Sequence, residues 1–221
     1  MSESTWSSTP GTETFGAIQK SVAGYVLMPT DDEVLDCAAQ GIRRAIDRLN
    51  TRTWNWLLTY DDITFVENQY DYVLTSWFKS ARNFEIWNTS EQSEFRLMYK
   101  PWGTFVKEHS DQGAQGDPEY YSVLNSNATG MVTLNAAPSS SWIAAHPSGR
   151  LLYYRKIQYP SATGTSLDVP SEAVAYLQAA AEGYTADRYA VTKAQAAYQR
   201  SERFHHELVV DDAHGQQNDW E

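Results

Sequence analysis

Apolar positions recur at helical spacing near both ends of the chain and in short β-type runs between them. In the first block Val34, Leu35, Ala38, Ile42, Ala45, Ile46 and Leu49 share one face of a 3.6-residue repeat. The pattern predicts a helix from Thr30 to about Asn50. Thr30-Asp31-Asp32-Glu33 reads as a capping box: the threonine hydroxyl accepts from an orphan N–H and Glu33 reaches back. Ahead of it, Phe15, Ile18 and Val22 predict a short helix within residues 12–23. Residues 1–11 are rich in Ser and Thr, end in Pro10-Gly11 and read as a flexible arm.

From Trp54-Asn55-Trp56-Leu57-Leu58 the period changes. Ile63–Val66, Tyr70–Leu74, Phe84–Trp87, Phe95–Tyr99, Tyr120–Leu124, Met131–Leu134 and Leu151–Tyr154 are β-branched and aromatic runs. Turn residues separate them, among them Glu67-Asn68-Gln69 and Pro147-Ser148-Gly149. Short strands at such spacing predict an antiparallel meander or small sandwich. Pro101 opens a short helix over 101–110, and residues 111–117, with Gly113 and Gly116, read as a mobile loop.

Helical spacing returns after Val169-Pro170-Ser171-Glu172, which places proline at the start of a helix. Val174, Leu177, Ala180 and Ala181 share its face, and Gly183 marks a break or bend. A second helix runs from about Ala186 to Leu208. The expected fold class is α+β, with N-terminal and C-terminal helices packed together around a central antiparallel β meander or small sandwich. The expected organisation is an arm over 1–11, a folded region over 12–208 and an extended C-terminal tail over 209–221. Within the folded region, helices over 12–50 and 170–208 flank a β-rich insertion over about 57–158.

Composition narrows the function. Hydrophobic residues make up 42% of the 221, enough for a real core. The 8 Trp and 14 Tyr suit both a β-rich core and protein interfaces. The net charge is −11, so the chain gains no counterion-release affinity for a nucleic-acid backbone. Cys37 is the single cysteine and sits mid-helix, where a buried structural thiol is expected, in a reducing compartment. The first residues lack the basic start and apolar run of a signal peptide, and no stretch approaches the ~20 apolar residues of a bilayer span.

Catalytic chemistry finds no motif. The sequence has no phosphate-binding glycine loop, nucleophile elbow or zinc-type spacing. His205-His206 are adjacent on a predicted helix, point in different directions and read as surface residues. The acidic pairs Asp31-Asp32, Asp61-Asp62 and Asp211-Asp212 lack calcium-loop spacing and read as a cap and solvated turns. Arg43, Arg44, Arg48 and Arg52 form the one basic cluster, a candidate subunit contact or simply the completion of a helix end. No enzyme, cofactor or metal is expected. The weighed alternatives are a carbohydrate-binding β module that stacks sugars on exposed Trp and Tyr and, ranked below it, a hydrolase using dispersed carboxylates.

The order of these elements carries a resemblance. Gly41-Ile42-Arg43-Arg44-Ala45-Ile46-Asp47-Arg48-Leu49 leads to Trp54-Asn55-Trp56-Leu57. Pro118-Glu119-Tyr120-Tyr121-Ser122-Val123 is followed by Met131-Val132-Thr133-Leu134-Asn135-Ala136-Ala137-Pro138. Leu151-Leu152-Tyr153-Tyr154-Arg155-Lys156 comes next, and Asp168-Val169-Pro170-Ser171-Glu172 opens the last helices. Over roughly residues 12–208 this resembles the head-to-tail adaptor (connector, neck) proteins of tailed phages, apart from residues 75–110, which do not align with the pattern. The resemblance implies a non-enzymatic virion protein, made in the host cytoplasm, that forms a ring, typically dodecameric, beneath the portal protein. Such a ring extends the DNA channel, lets the genome pass without specific binding and offers tail, nozzle or fibre proteins a docking surface. An acidic wall would repel phosphate. The tail from Asp211 and Asp212 to Asp219, Trp220 and Glu221 is the expected portal-docking segment, with Trp220 as its anchor.

Overall fold

A computed structural model of the chain describes residues 13–75, 77–89, 93–109, 114–125 and 130–217. In chain order the helices are α1 (Phe15–Tyr25), α2 (Asp32–Thr51), α3 (Trp102–Glu108), α4 (Ser140–Ala145), α5 (Ser171–Tyr189) and α6 (Val191–Gln217). The strands are β1 (Leu58–Thr64), β2 (Asp71–Val73), β3 (Phe78–Asn88), β4 (Ser93–Arg96), β5 (Met98–Tyr99), β6 (Gln115–Gly116), β7 (Tyr120–Asn125), β8 (Gly130–Leu134), β9 (Ala137–Pro138) and β10 (Ser148–Arg155). These elements form two compact units. One is helical and takes the described residues up to Trp56 and from Ile157 onward; the other is Leu57–Lys156. The fold is α+β, with terminal helices packed together and a central, mainly antiparallel β region.

In the helical unit α5 packs against α1, α2 and α6. The first turn of α1 is satisfied from outside the helix: Phe15 and Gly16 donate their N–H groups to the carbonyls of Thr165 and Thr163, at 2.9 and 2.8 Å. Gly16 is required there, because a Cβ would lie 2.9 Å from Thr163. The other end of α1 closes in a Schellman cap, with Met28 N–H donating to Ala23 O and Leu27 N–H to Gly24 O. Glycine normally fills the left-handed position of this cap, yet here it is Leu27, at φ 67° and 80% exposed.

Four sequence expectations shift in this unit. The N-cap of α2 is Asp31, not Thr30; its carboxylate accepts from Val34 N–H at 3.1 Å. A carboxylate caps as well as a hydroxyl and also meets the positive end of the helix dipole. Gly183 does not break α5, which runs on to Tyr189. It serves close approach instead, since a Cβ there would lie 2.7 Å from the Tyr198 ring. The chain turns at Ala190, so the last helix starts at Val191 rather than Ala186. That helix also continues to Gln217, past the expected stop at Leu208, so most of the tail expected to be extended is helical. Leu208 and Asp212, four residues apart, are both buried on one face and carry the helix onward.

The second unit holds two four-stranded sheets, ordered β1-β10-β3-β4 and β2-β8-β7-β5. It is not a simple meander. β10 lies between β1 and β3, with Tyr60 opposite Leu152 and Asp62 opposite Arg150, while β5 pairs with β7 in parallel. One hydrophobic cluster draws on both sheets and includes Phe65, Phe84, Tyr121, Val132, Leu151 and Tyr153. Trp142 joins it from α4, which the strand pattern missed; Ser139 caps this helix by accepting from Trp142 N–H at 3.2 Å. Within the expected loop 111–117, Gln115 and Gly116 pair with Ala137 and Pro138.

Two substitutions test the helical packing. A Cβ on Gly41 would lie 2.9 Å from the Ala181 backbone. Gly41→Ala must therefore separate α2 from α5 and is expected to cost roughly 1–3 kcal/mol in chemical denaturation. Leu27→Gly relieves a left-handed leucine without removing a buried contact. It is expected to raise stability by roughly 0.5–1 kcal/mol in the same measurement.

Candidate functional site

The basic cluster, the tryptophan junction and the start of the C-terminal segment meet at the C-terminal end of α2. Asn50 pins the returning chain there: its side chain donates to Ile157 O at 3.0 Å and accepts from Ile157 N–H at 2.8 Å. Trp54 is fully buried, and its indole N–H donates to Leu49 O at 2.7 Å, satisfying one of the last carbonyls of α2. The ring of His205 stands edge-on to Trp54 at 6.0 Å and lies 5.4 Å from Tyr176. His205 is therefore half-buried against aromatic rings, while His206 is exposed. Burial pushes the His205 pKa down, Arg48 adds to that, and Glu202 opposes it.

The four arginines divide by helical position. Arg44, Arg48 and Arg52, at intervals of four, line one flank of α2. Arg44 stacks over Tyr184 at 4.5 Å. Arg48 holds Glu202 through two bonds, at 2.6 and 2.9 Å. Arg52 lies over Trp54 at 5.0 Å and 3.9 Å from Asp212. These three are thus engaged inside their own chain. Arg43 points to another flank, where Tyr159 donates to Asp47. Sequence reading found the arginines but missed Glu202, Tyr184 and Asn55, because nothing local marks residues that meet across so many positions.

Asp212 changes meaning. It is 2% exposed and accepts from Asn55 N–H at 2.6 Å, while the Asn55 side chain donates to Asp212 O at 3.2 Å. The residue read as part of a free docking tail instead clamps α6 to the tryptophan junction. Asp211 next to it is exposed. Asp219, Trp220 and Glu221 lie outside the described residues. Burial pushes the Asp212 carboxyl above the usual aspartate range, and the Asn55 N–H and Arg52 pull it partly back. Glu202 is shifted the other way, chiefly by its hydrogen bonds to Arg48.

The remaining candidates are occupied by structural contacts. Asp61 accepts from Thr75 N–H at 2.8 Å and Tyr153 O–H at 3.0 Å. Asp62 holds Arg150 at 2.7 Å, and that guanidinium covers Tyr60 at 4.3 Å. A sugar could not stack on this face of Tyr60 without displacing it. Cys37 is buried. Among the described residues no cluster of three His, Cys, Asp or Glu could hold a metal, and no helix is long and apolar enough to cross a membrane.

The two shifted carboxyls predict opposite pH signatures. Asp212 holds its proton more readily in the fold than in the unfolded chain, so its contribution to stability grows as pH falls through the carboxylate range toward about 4. Glu202 contributes above the unfolded glutamate range and loses that contribution as pH falls through its lowered folded value. In thermal melts from pH 7 to 3, the stability of the parent relative to Asp212→Asn should rise with acid. Relative to Glu202→Gln it should fall.

A comparison with known families matches residues 13–218 to the family described as SU10 adaptor protein. The match spans both units, and the chain belongs to that family of head-to-tail adaptors, whose role is structural rather than enzymatic. No curated protein matches the chain.

Proposed function

We propose that this member of the adaptor family forms a homo-oligomeric ring beneath the portal protein at the neck of the virion. The ring extends the DNA channel and carries the attachment surface for tail, nozzle or fibre proteins. The observation that carries this reading is the family match across residues 13–218, which takes in the helical unit and the β unit together. Two physical features support it. The net charge of −11 disfavours adhesion to passing phosphates. The α2 junction holds α6 near its C-terminal end through Asp212 and Asn55.

In this reading the portal-docking segment begins at Asp211 and includes Asp219, Trp220 and Glu221. Asp212 is its anchor rather than a docking residue. A buried, hydrogen-bonded carboxylate holds the last turns of α6 in place, so the following segment is presented from a fixed point. Pre-placing it in this way reduces the ordering cost of binding.

Removing residues 218–221 leaves the Asp212 clamp intact. The shortened chain is expected to keep its melting temperature and to lose at least about tenfold in affinity for the portal protein, the loss of one anchoring aromatic. Sedimentation of the chain with the portal, before and after truncation, measures this. Unchanged affinity in the truncated chain would remove the docking role of the segment, and no association by the full chain would remove the portal reading itself.

A further inference from the structure

The inner stripe of α6 runs Ala194, Ala197, Ser201, His205, Leu208 and Asp212. Steps of three and four residues keep these positions on one face of a helix. All of them are buried except His205, which is half-buried. His205 is also the member of the stripe whose charge ordinarily changes near neutral pH. It lies between the two places where α6 is fastened to the α2 junction: Glu202, held by Arg48, and Asp212, bonded to Asn55.

The surroundings of His205 suit a neutral ring. From the end of α2, Trp54 meets it edge-on at 6.0 Å, and from α5 the Tyr176 ring lies 5.4 Å away. Burial disfavours a proton on the imidazole, and Arg48, Arg52 and His206 add to that. Glu202 alone favours one, and no hydrogen bond is among these influences. Both Glu202 oxygens are already engaged by the Arg48 guanidinium, at 2.6 and 2.9 Å. Asp212, two turns further along the stripe, does not act on the ring. It lies 3.9 Å from Arg52 and accepts from Asn55 N–H. An imidazolium at this point would be a third cation beside Arg48 and Arg52, partly withdrawn from water.

We infer that His205 is an acid-sensitive latch: neutral, it seats the second half of α6 on the Trp54 junction, and protonated, it releases the turns from His206 to Gln217. Protonation favours the released state because both ring nitrogens then reach water. Once released, the ring titrates near the ordinary histidine value of about 6.5. The fold keeps it neutral below that value. Its contact therefore contributes fully above about pH 6.5 and weakens as pH falls beneath it. Asp212 acts in the opposite sense and at lower pH, toward about 4. Release is greatest between the two ranges, at about pH 5.5. The consequence for binding rests on the portal-docking reading above: loosening α6 near its end raises the ordering cost of docking the segment that follows.

Hydrogen exchange of the full-length chain at pH 7.5, 6.5 and 5.5 tests the latch through the protection factors of residues 206–217. The parent is expected to lose protection there several-fold, up to about tenfold, between pH 6.5 and 5.5. His205→Gln and His205→Phe, one polar and one apolar but neither titrating, should each remove that loss, whatever their stability at pH 7.5. His206→Gln should retain it. Sedimentation with portal protein at the same pH values reads the consequence: affinity should fall with acid in the parent and not in His205→Gln. Protection in the parent that does not change with pH, or that falls equally in both His205 variants, would overturn the latch. Protection that falls in the parent alone, while portal affinity stays constant, would leave the latch standing and remove the docking role of the segment.

Discussion

The helical unit depends on one constraint: it is built from two stretches of chain separated by a hundred residues, and both must be held at the end of α2. The chain leaves after Trp56 and returns at Ile157. Asn50 grips the return through both its donor and its acceptor. Trp54 closes the helix end, and Asp212 fastens the far part of α6 to Asn55. Such side-chain bonds to backbone are modest one at a time. Their importance is positional, because burying α5 between α2 and α6 requires the interrupted halves to stay in register.

That constraint orders the chemistry. Arginines near a helix C-terminus are favoured by its dipole, but here three of them also serve the junction. One pairs with Glu202, one stacks on Tyr184, and one covers Trp54 beside the buried Asp212. Asp212 is the costly member, a desolvated carboxylate with one oxygen lacking a hydrogen-bond partner. A fold optimised for stability alone would place an apolar residue there. The pair of bonds with Asn55 gives the contact a directionality that an apolar side chain would lack.

Much of this was legible in the sequence. The apolar repeat from Val34 to Leu49 specified α2 and its buried face, and the β-branched runs specified most strands. The order of elements pointed to the adaptor family. What could not be read was set by distant contacts. Nothing near Gly183 shows that Tyr198 will lie on it, so a glycine serving close packing looks like a helix breaker. The position of β10 between β1 and β3 depends on pairings of residues far apart in the chain, from Gly149 with Ile86 to Tyr154 with Leu58, which no local turn announces. Asp212 looked solvent-facing because two polar residues in a polar stretch carry no sign of burial. Its partner Asn55 lies 157 residues earlier.

Imaging tests the proposed ring of this adaptor at the portal most directly. Cryo-electron microscopy of the full-length chain mixed with its portal protein should show a closed ring of this chain coaxial with the portal. Monomers that leave the portal bare, or density for this chain away from the channel axis, would contradict the account.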